Sequence, residues 1–437
     1  MMKRELGRFE QAMIMSNEYA PFNVVGVLCL ERLPEPGVME KALSFLMQRH
    51  PLLRARVSSK NTSELTVFPR QAPPIRFMTR TRQDQWRDVA EEEINQTIDM
   101  EKGPLWRVTV LEDDSSGDII FTSQHLIVDG VSLCALLNQW LELCGQPQDQ
   151  WRAMEQNLVE PYDQRLPNQL RGPRLWLHGL AFMMRQGFAE MRYRLSAPKD
   201  RIAPGQPRCR LHTTTLNERE TTRLAARCRT EGVTLHAALH TAMLDRVHHI
   251  RYEGVKTILR SISFTDLRPW LKPAAPAHEL GCHLSMTPVT CSFGDASFWD
   301  RARQIGTSMY RSHKRGDKFL APLFSKPMMR MLFKKESMRM GATALSYTGH
   351  TPKFQSRFPV TEIHGFVSNM KLGPELTASA RIHRGQLVWD YLYLESDMDL
   401  AQAKQLANEI NQCLIKSLNH NPQPGKLERP VAEVAIT

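Results

Sequence analysis

The sequence predicts a mixed α/β (α+β) chain built as two similar lobes. Three observations carry this expectation. The chain has 437 residues with 42% hydrophobic content, enough for two sizeable cores. Short apolar strand patterns alternate with amphipathic helical ones. The same order of patterns begins again after a proline-rich break between Ser196 and Pro207.

The elements follow in order. Asn23–Glu31 reads as a strand, and Pro34-Glu35-Pro36-Gly37 as a turn. Val38–Arg49 places Met39, Leu43, Leu46 and Met47 on one helical face, and Pro51 stops the helix by restricting the backbone of His50. Strands are expected at Arg54–Val57 and Glu64–Phe68, a polar helix at Gln83–Ile98, then strands at Trp106–Leu111 and Ile119–Gln124. From Val131 to Cys144 a stripe of Leu133, Leu136, Leu137, Trp140 and Leu141 predicts a helix leaving a strand-end loop. After the break come helices at Asn217–Glu231, Thr234–Arg251 (Thr234 as N-cap) and Phe298–His313, and a closing helix at Leu400–Leu418. Strands at Ile258–Phe264, Met286–Phe293, Ala342–Tyr347, Leu376–His383 and Gln386–Leu394 complete the second half. The expected domains are an N-terminal lobe at 1–170, a basic amphipathic crossover at 171–207 and a C-terminal lobe at 208–437. A cleft between two such lobes is a common ligand site.

The eight cysteines are scattered without a CxxC pair, which fits thiols in a reducing, cytoplasmic compartment. Glu5 and Glu10 interrupt the first stretch, so no secretion signal is expected. No apolar run approaches the ~18 residues of a membrane span. The sequons at Asn61 and Asn95 therefore carry no meaning here.

The net charge of +11 is local. Arg165–Arg201 carries +6 and Arg301–Met340 carries +9, leaving −4 elsewhere. Both stretches also hold many Leu, Met and Phe residues. Such a pattern suits an amphipathic helix at a lipid surface or beside an anionic ligand, or a helix bridging two lobes that buries its Leu and Met and solvates its Arg. Nucleic acid is not expected, since no zinc finger or RNP signature is present.

Chemistry concentrates in Gln124-His125-Leu126-Ile127-Val128-Asp129-Gly130, an HxxxDG motif between an apolar strand and an amphipathic helix. Functional titratable groups favour such strand ends. Around it lie Arg49-His50-Pro51-Leu52-Leu53-Arg54, Gly103-Pro104-Leu105-Trp106-Arg107 and Asp266-Leu267-Arg268-Pro269. In this order the motifs resemble the HxxxD acyltransferase superfamily of condensation domains, wax ester synthases, polyketide-associated acyltransferases and BAHD acyltransferases. The resemblance runs from the RHPLLR segment to the closing helix.

The resemblance implies two chloramphenicol-acetyltransferase-like lobes with a central tunnel and His125 at its middle. It implies no permanently bound cofactor. Acyl-CoA or a phosphopantetheinyl thioester on an acyl carrier protein would be the cosubstrate, and a hydroxyl or amine the acceptor. A neutral imidazole, with pKa near ~6.5, can take the acceptor's proton, so His125 is the expected general base. Asp129 is expected to pair with an arginine, Arg268 first and Arg54 second, and to hold the loop's shape. Gly130 is expected to permit a tight turn. Ser346 or Thr348, in Leu345-Ser346-Tyr347-Thr348-Gly349, is expected to donate to the oxyanion, with a plain strand-end turn as the competing reading.

Departures are informative. Gln124 stands where condensation domains and wax ester synthases usually carry a second His, which leans away from both. The plant-type DFGWG motif is absent, and Val388-Trp389-Asp390-Tyr391 does not replace it. His278-Glu279-Leu280-Gly281-Cys282-His283 separates its histidines by five residues, one more than a metal-binding HExxH requires, and no metal is expected. His248-His249 reads as a favourable cation at a helix end. The expected function is ester formation on a lipid or polyketide-like alcohol, with possible peripheral membrane contact. The alternatives are a free-standing amide-forming condensation enzyme and a non-catalytic binder of carrier protein or lipid.

Overall fold

The computed structural model describes residues 2–58, 64–69, 71–114, 116–152, 156–196, 202, 204–252, 255, 257–335 and 338–419. The Asn61 sequon and residues 197–201 of the proline-rich break lie outside them.

In chain order the first elements are β1 (Lys3–Glu5), α1 (Arg8–Tyr19), β2 (Asn23–Leu30), α2 (Pro36–Arg49), β3 (Ala55–Val57) and β4 (Glu64–Val67). Next come β5 (Ile75–Thr79), α3 (Gln85–Asn95), β6 (Trp106–Glu112), β7 (Gly117–Gln124), α4 (Gly130–Gly145) and α5 (Pro173–Ser196). Then follow β8 (Cys209–Leu216), α6 (Glu218–Thr230), α7 (Leu235–Tyr252), β9 (Thr257–Asp266), β10 (Leu284–Phe293) and α8 (Phe298–Lys314). The chain continues through α9 (Asp317–Leu323), α10 (Ser325–Lys335), β11 (Thr343–His350), β12 (Val360–Val367), β13 (Leu376–His383), β14 (Gln386–Leu394) and α11 (Leu400–Ser417). The result is the mixed α/β, two-lobe class that the pattern of elements predicts.

One compact unit comprises Met1–Leu166, Arg268–His283 and Pro352–Ser368. Its main sheet has the order β12-β2-β7-β6-β5. All its pairs are antiparallel except β5 with β6. Alternation along β2 sends Gly26 to one face and Asn23 to the other. On the Gly26 face lies α4, whose Leu133 and Leu137 come so close that a Cβ on Gly26 would meet Leu133 Cδ2 at 2.9 Å. Trp140 Nε1 donates to the Met39 carbonyl (3.1 Å) and ties α4 to α2. On the other face Asn23 Nδ2 donates to the Glu93 carbonyl (2.8 Å) of α3. A short sheet, β1-β4-β3, completes the unit.

The other unit comprises Pro167–Leu267, Leu284–Thr351 and Asn369–Thr437. Its sheet order is β10-β9-β11-β13-β14-β8. β11 runs parallel to both neighbours, and the remaining pairs are antiparallel. Helices α6, α7, α8 and α11 bury Leu224, Met243, Ile305 and Ile410 against Leu345, Trp389 and Tyr391 of the sheet. Thr234 Oγ1 accepts from Ala237 N (3.2 Å) at the start of α7.

Helix α5 belongs to this unit and leaves exposed most of the Leu and Met face that the bridging reading expects to be buried. It buries Gly179 and Phe182, with the Phe182 ring against Phe324 at 5.9 Å. Arg185 pairs with Asp317 at 2.5 Å, and the Arg260 guanidinium lies over Tyr193 at 3.9 Å. Seven of its large apolar side chains are instead more than half exposed. Among the described residues no helix is long and apolar enough to cross a membrane.

Candidate active site

The RHPLLR and GPLWR motifs, HxxxDG and Arg268 all fall within the first unit. The His50-Pro51 pair ends α2, and His50 Nε2 donates to Gln139 Oε1 of α4 at 3.1 Å. Burial pushes the His50 imidazole down to about 4. The Pro51–Arg54 turn presents the Leu53 carbonyl to Trp106 Nε1 at 2.7 Å. Leu105 carbonyl in turn accepts from Gln124 N (2.8 Å) and Ser123 Oγ (3.2 Å). The two flanking motifs thus pin the end of β7 from which the His125 loop springs.

His125 follows β7 directly. Its backbone N–H donates to the Phe22 carbonyl (3.3 Å), and the two rings stack at 5.4 Å. Its Nδ1 lies 2.9 Å from the Val128 carbonyl oxygen. A carbonyl only accepts, so this bond places the proton on Nδ1 and leaves the lone pair on Nε2. The side chain is 6% exposed. Burial pushes its pKa below the ordinary value, partly offset by the Val128 bond and the Asp129 charge. Burial thus favours the neutral imidazole.

Asp129 caps α4. Its Oδ1 accepts from Ser132 N and Ser132 Oγ, each at 3.0 Å, which satisfies an amide of the first helical turn. Arg268 forks the same carboxylate, Nη1 to Oδ2 at 2.7 Å and Nη2 to Oδ1 at 2.9 Å. The His283 backbone N–H adds a further donor at 2.9 Å. Burial alone would raise the carboxyl pKa, but the Arg268 charge and hydrogen bonds overcome it and hold Asp129 well below the usual carboxylate range. With its oxygens committed to these groups, Asp129 fixes the loop while the imidazole proton goes to main chain. Arg54 donates to the carbonyls of Met47 (2.8 Å) and Phe68 (3.1 Å).

Gly130 requires a correction. It opens α4 with helical backbone, exposed, and outside the set of positive-φ glycines. The left-handed freedom of glycine is not used there. Ser346 lies on β11 in the other unit, half-buried and paired in register with Ser379 of β13.

Several supporting residues escape a motif reading. Gln124 Oε1 accepts from Leu126 N, bracing the first turn of the loop. Arg165 Nη1 donates to Glu279 Oε1 (2.5 Å), and His283 Nε2 lies 3.1 Å from the same oxygen. Burial opposes ionisation of Glu279, and bonds to His283 and Arg165 outweigh it and lower its pKa. The HELGCH run, unsuited to metal by its spacing, thus supplies the segment that grips Asp129. Its Gly281 sits at φ +136°, which a larger residue would resist. Gln124 adjoins His125, and Glu279 and His283 follow Arg268 closely in the chain, but nothing local in the sequence marks Arg165. Among the described residues no three His, Cys, Asp or Glu side chains are placed to hold a metal ion.

Residues 10–305 match the family model described as the Condensation domain. A segment of 120 residues is 32% identical to tyrocidine synthase 3 of Brevibacillus parabrevis, spanning 27% of this chain but 2% of that protein. The trichothecene 15-O-acetyltransferase TRI3 of Fusarium sporotrichioides superposes with a TM-score of 0.75 at 14% identity, over 94% of this chain and 95% of its own. The first condensation domain of the calcium-dependent antibiotic synthetase gives 0.75 at 11% identity, over 97% and 99%. At these identities the likeness shows a shared fold.

Proposed function

The chain belongs to the condensation-domain family, and from that premise we propose that it transfers an acyl group from a thioester to the hydroxyl of a lipid or polyketide-like acceptor. The donor would be acyl-CoA or an acyl carrier protein. Gln124 in place of the usual second histidine does not remove the chain from the family.

The observation that carries the proposal is the 2.9 Å contact from His125 Nδ1 to the Val128 carbonyl, because it presents Nε2 as a base. In the proposed reaction the acceptor oxygen forms a bond to the thioester carbonyl carbon as its proton passes to Nε2. The tetrahedral intermediate collapses, the C–S bond breaks, and the leaving thiolate recovers that proton. The products are an ester and a thiol, and the imidazole is regenerated. Asp129 and Arg268 act by positioning. The oxyanion role expected of Ser346 is tested by Ser346→Ala, where a lower kcat with an unchanged denaturation midpoint supports it.

The test is turnover of a panel of acyl-CoA and carrier-bound thioesters with alcohol and amine acceptors, comparing wild type with His125→Ala. An ester formed by wild type and lost by at least about a hundredfold in the variant supports the reading. Amide product from the same enzyme supports the second reading, an amide-forming condensation, which the name of tyrocidine synthase 3 favours. Equal turnover by His125→Ala overturns the catalytic assignment.

A further inference from the structure

The outer face of α5 is apolar, continuous and uncommitted to any contact within its unit. Leu177, Leu180, Met184, Phe188, Met191 and Leu195 recur at intervals of three or four and share one helical face. Together with Trp176 they are 54–81% exposed. Contiguous apolar patches of this kind mark interaction surfaces. The stripe from Leu177 to Leu195 is about 27 Å long at a rise of ~1.5 Å per residue. It lies on one helix whose opposite face buries Gly179 and Phe182.

Charge decides the occupant. The same helical spacing puts Arg174, Arg185 and Arg192 along one margin of the stripe. All three are exposed, and Arg185 also pairs with Asp317. The helix has one acid, Glu190, which falls on the inner side and is held by Arg194 (2.7 Å) and Arg260 (2.6 Å). A second copy seated on the stripe would bring no carboxylate of α5 to the arginine margin. An anionic bilayer uses both features, taking the apolar side chains at the acyl boundary and the arginines at lipid phosphates.

The geometry points to α5 as an interfacial helix that seats the protein on an anionic membrane surface, lying in its plane. Helix α10, which like α5 packs on α9, carries Met331 exposed beside Arg330 and Lys334, a composition of the same sense.

Flotation of the full chain with vesicles tests this, using phosphatidylcholine alone and phosphatidylcholine mixed with phosphatidylglycerol. Wild type is expected to float with the anionic vesicles. The triple variant Leu180→Ser/Met184→Ser/Phe188→Ser is expected to bind at least about tenfold more weakly with an unchanged thermal midpoint, because all three side chains are solvent-exposed. Arg174→Gln/Arg192→Gln is expected to lose about 25-fold on anionic vesicles, at about fivefold per arginine. Vesicle-induced blue shift of tryptophan emission should diminish in Trp176→Phe. His125→Ala should float like wild type, which separates this inference from the catalytic one. Absence of flotation by wild type, equal flotation by the triple variant, or a wild-type dimer that the triple variant converts to monomer each overturns the inference.

Discussion

The Asp129–Arg268 pair is expected to couple strongly, and a double-mutant cycle measures it. Both side chains are about 4% exposed, and two hydrogen bonds of 2.7 and 2.9 Å join them. Arg268→Leu leaves a buried carboxylate with only Ser132 and the His283 amide as donors. Asp129→Asn keeps the helix-capping acceptor but leaves the buried Arg268 guanidinium without its counter-charge. Each single change should cost about 3–5 kcal/mol, the range for orphaning one member of a buried pair. The double variant removes both charges and should cost far less than the sum of the singles, leaving a coupling energy of at least about 3 kcal/mol. Urea denaturation followed by tryptophan fluorescence reads this, provided the slope with denaturant is unchanged. The folded Asp129 titrates below the unfolded value near ~3.9, so its contribution is present above that pH and is lost as pH falls through the folded pKa. A coupling below about 1 kcal/mol, the value of a surface pair, would refute the reasoning.

Three further outcomes are expected. Gly26→Val should destabilise the protein by about 1–3 kcal/mol, because its side chain would push into Leu133 and Leu137 of α4, and kcat should fall as the Asp129 cap shifts; an unchanged midpoint and kcat would contradict this. Acid should destabilise the fold well before carboxylates titrate. His50 and His236 are buried with pKa values lowered to about 4, so the stability they contribute is full above ~6.5 and is lost as pH falls toward 4, about 3 kcal/mol for each; denaturation midpoints measured between neutral pH and pH 4 check it. Finally, the acid limb of kcat/KM should lie below the ~6.5 of free histidine, since burial lowers the His125 pKa; a limb above that value would contradict the assigned environment.

Periodicity read this fold well where one residue face is buried and one is not. The α4 stripe of Leu133, Leu136, Leu137, Trp140 and Leu141 is buried throughout, and the two hairpin strands β13 and β14 fall at their expected bounds. It missed β12, whose partner β2 lies more than 300 residues earlier in the chain; no local signal reports so distant a pairing. It missed α1, where buried Ser16 and Asn17 interrupt the apolar face. At the site, HxxxDG and its Arg268 partner were legible through the family resemblance, whose motifs keep those residue types in order. Gln124, Ser132, Arg165, Glu279 and His283 were not, since their roles come from orientation: a backbone amide of His283 and an amide oxygen of Gln124 do work that many residue types could do. Both long basic stretches were visible as charge, but the outward turn of the α5 stripe depends on Phe182 and Gly179 choosing the inner face.

The first unit is assembled from three separated stretches, ending with Pro352–Ser368. This has a consequence for anyone recombining the gene. A cassette carrying only the N-terminal portion would encode the histidine and its loop yet lack Arg268, the His283 amide and the strand that closes β2. It would display an open sheet edge, which invites aggregation, around an aspartate without its counter-ion. Functional exchange between relatives should therefore tolerate substitution of side chains far better than transplantation of a contiguous half.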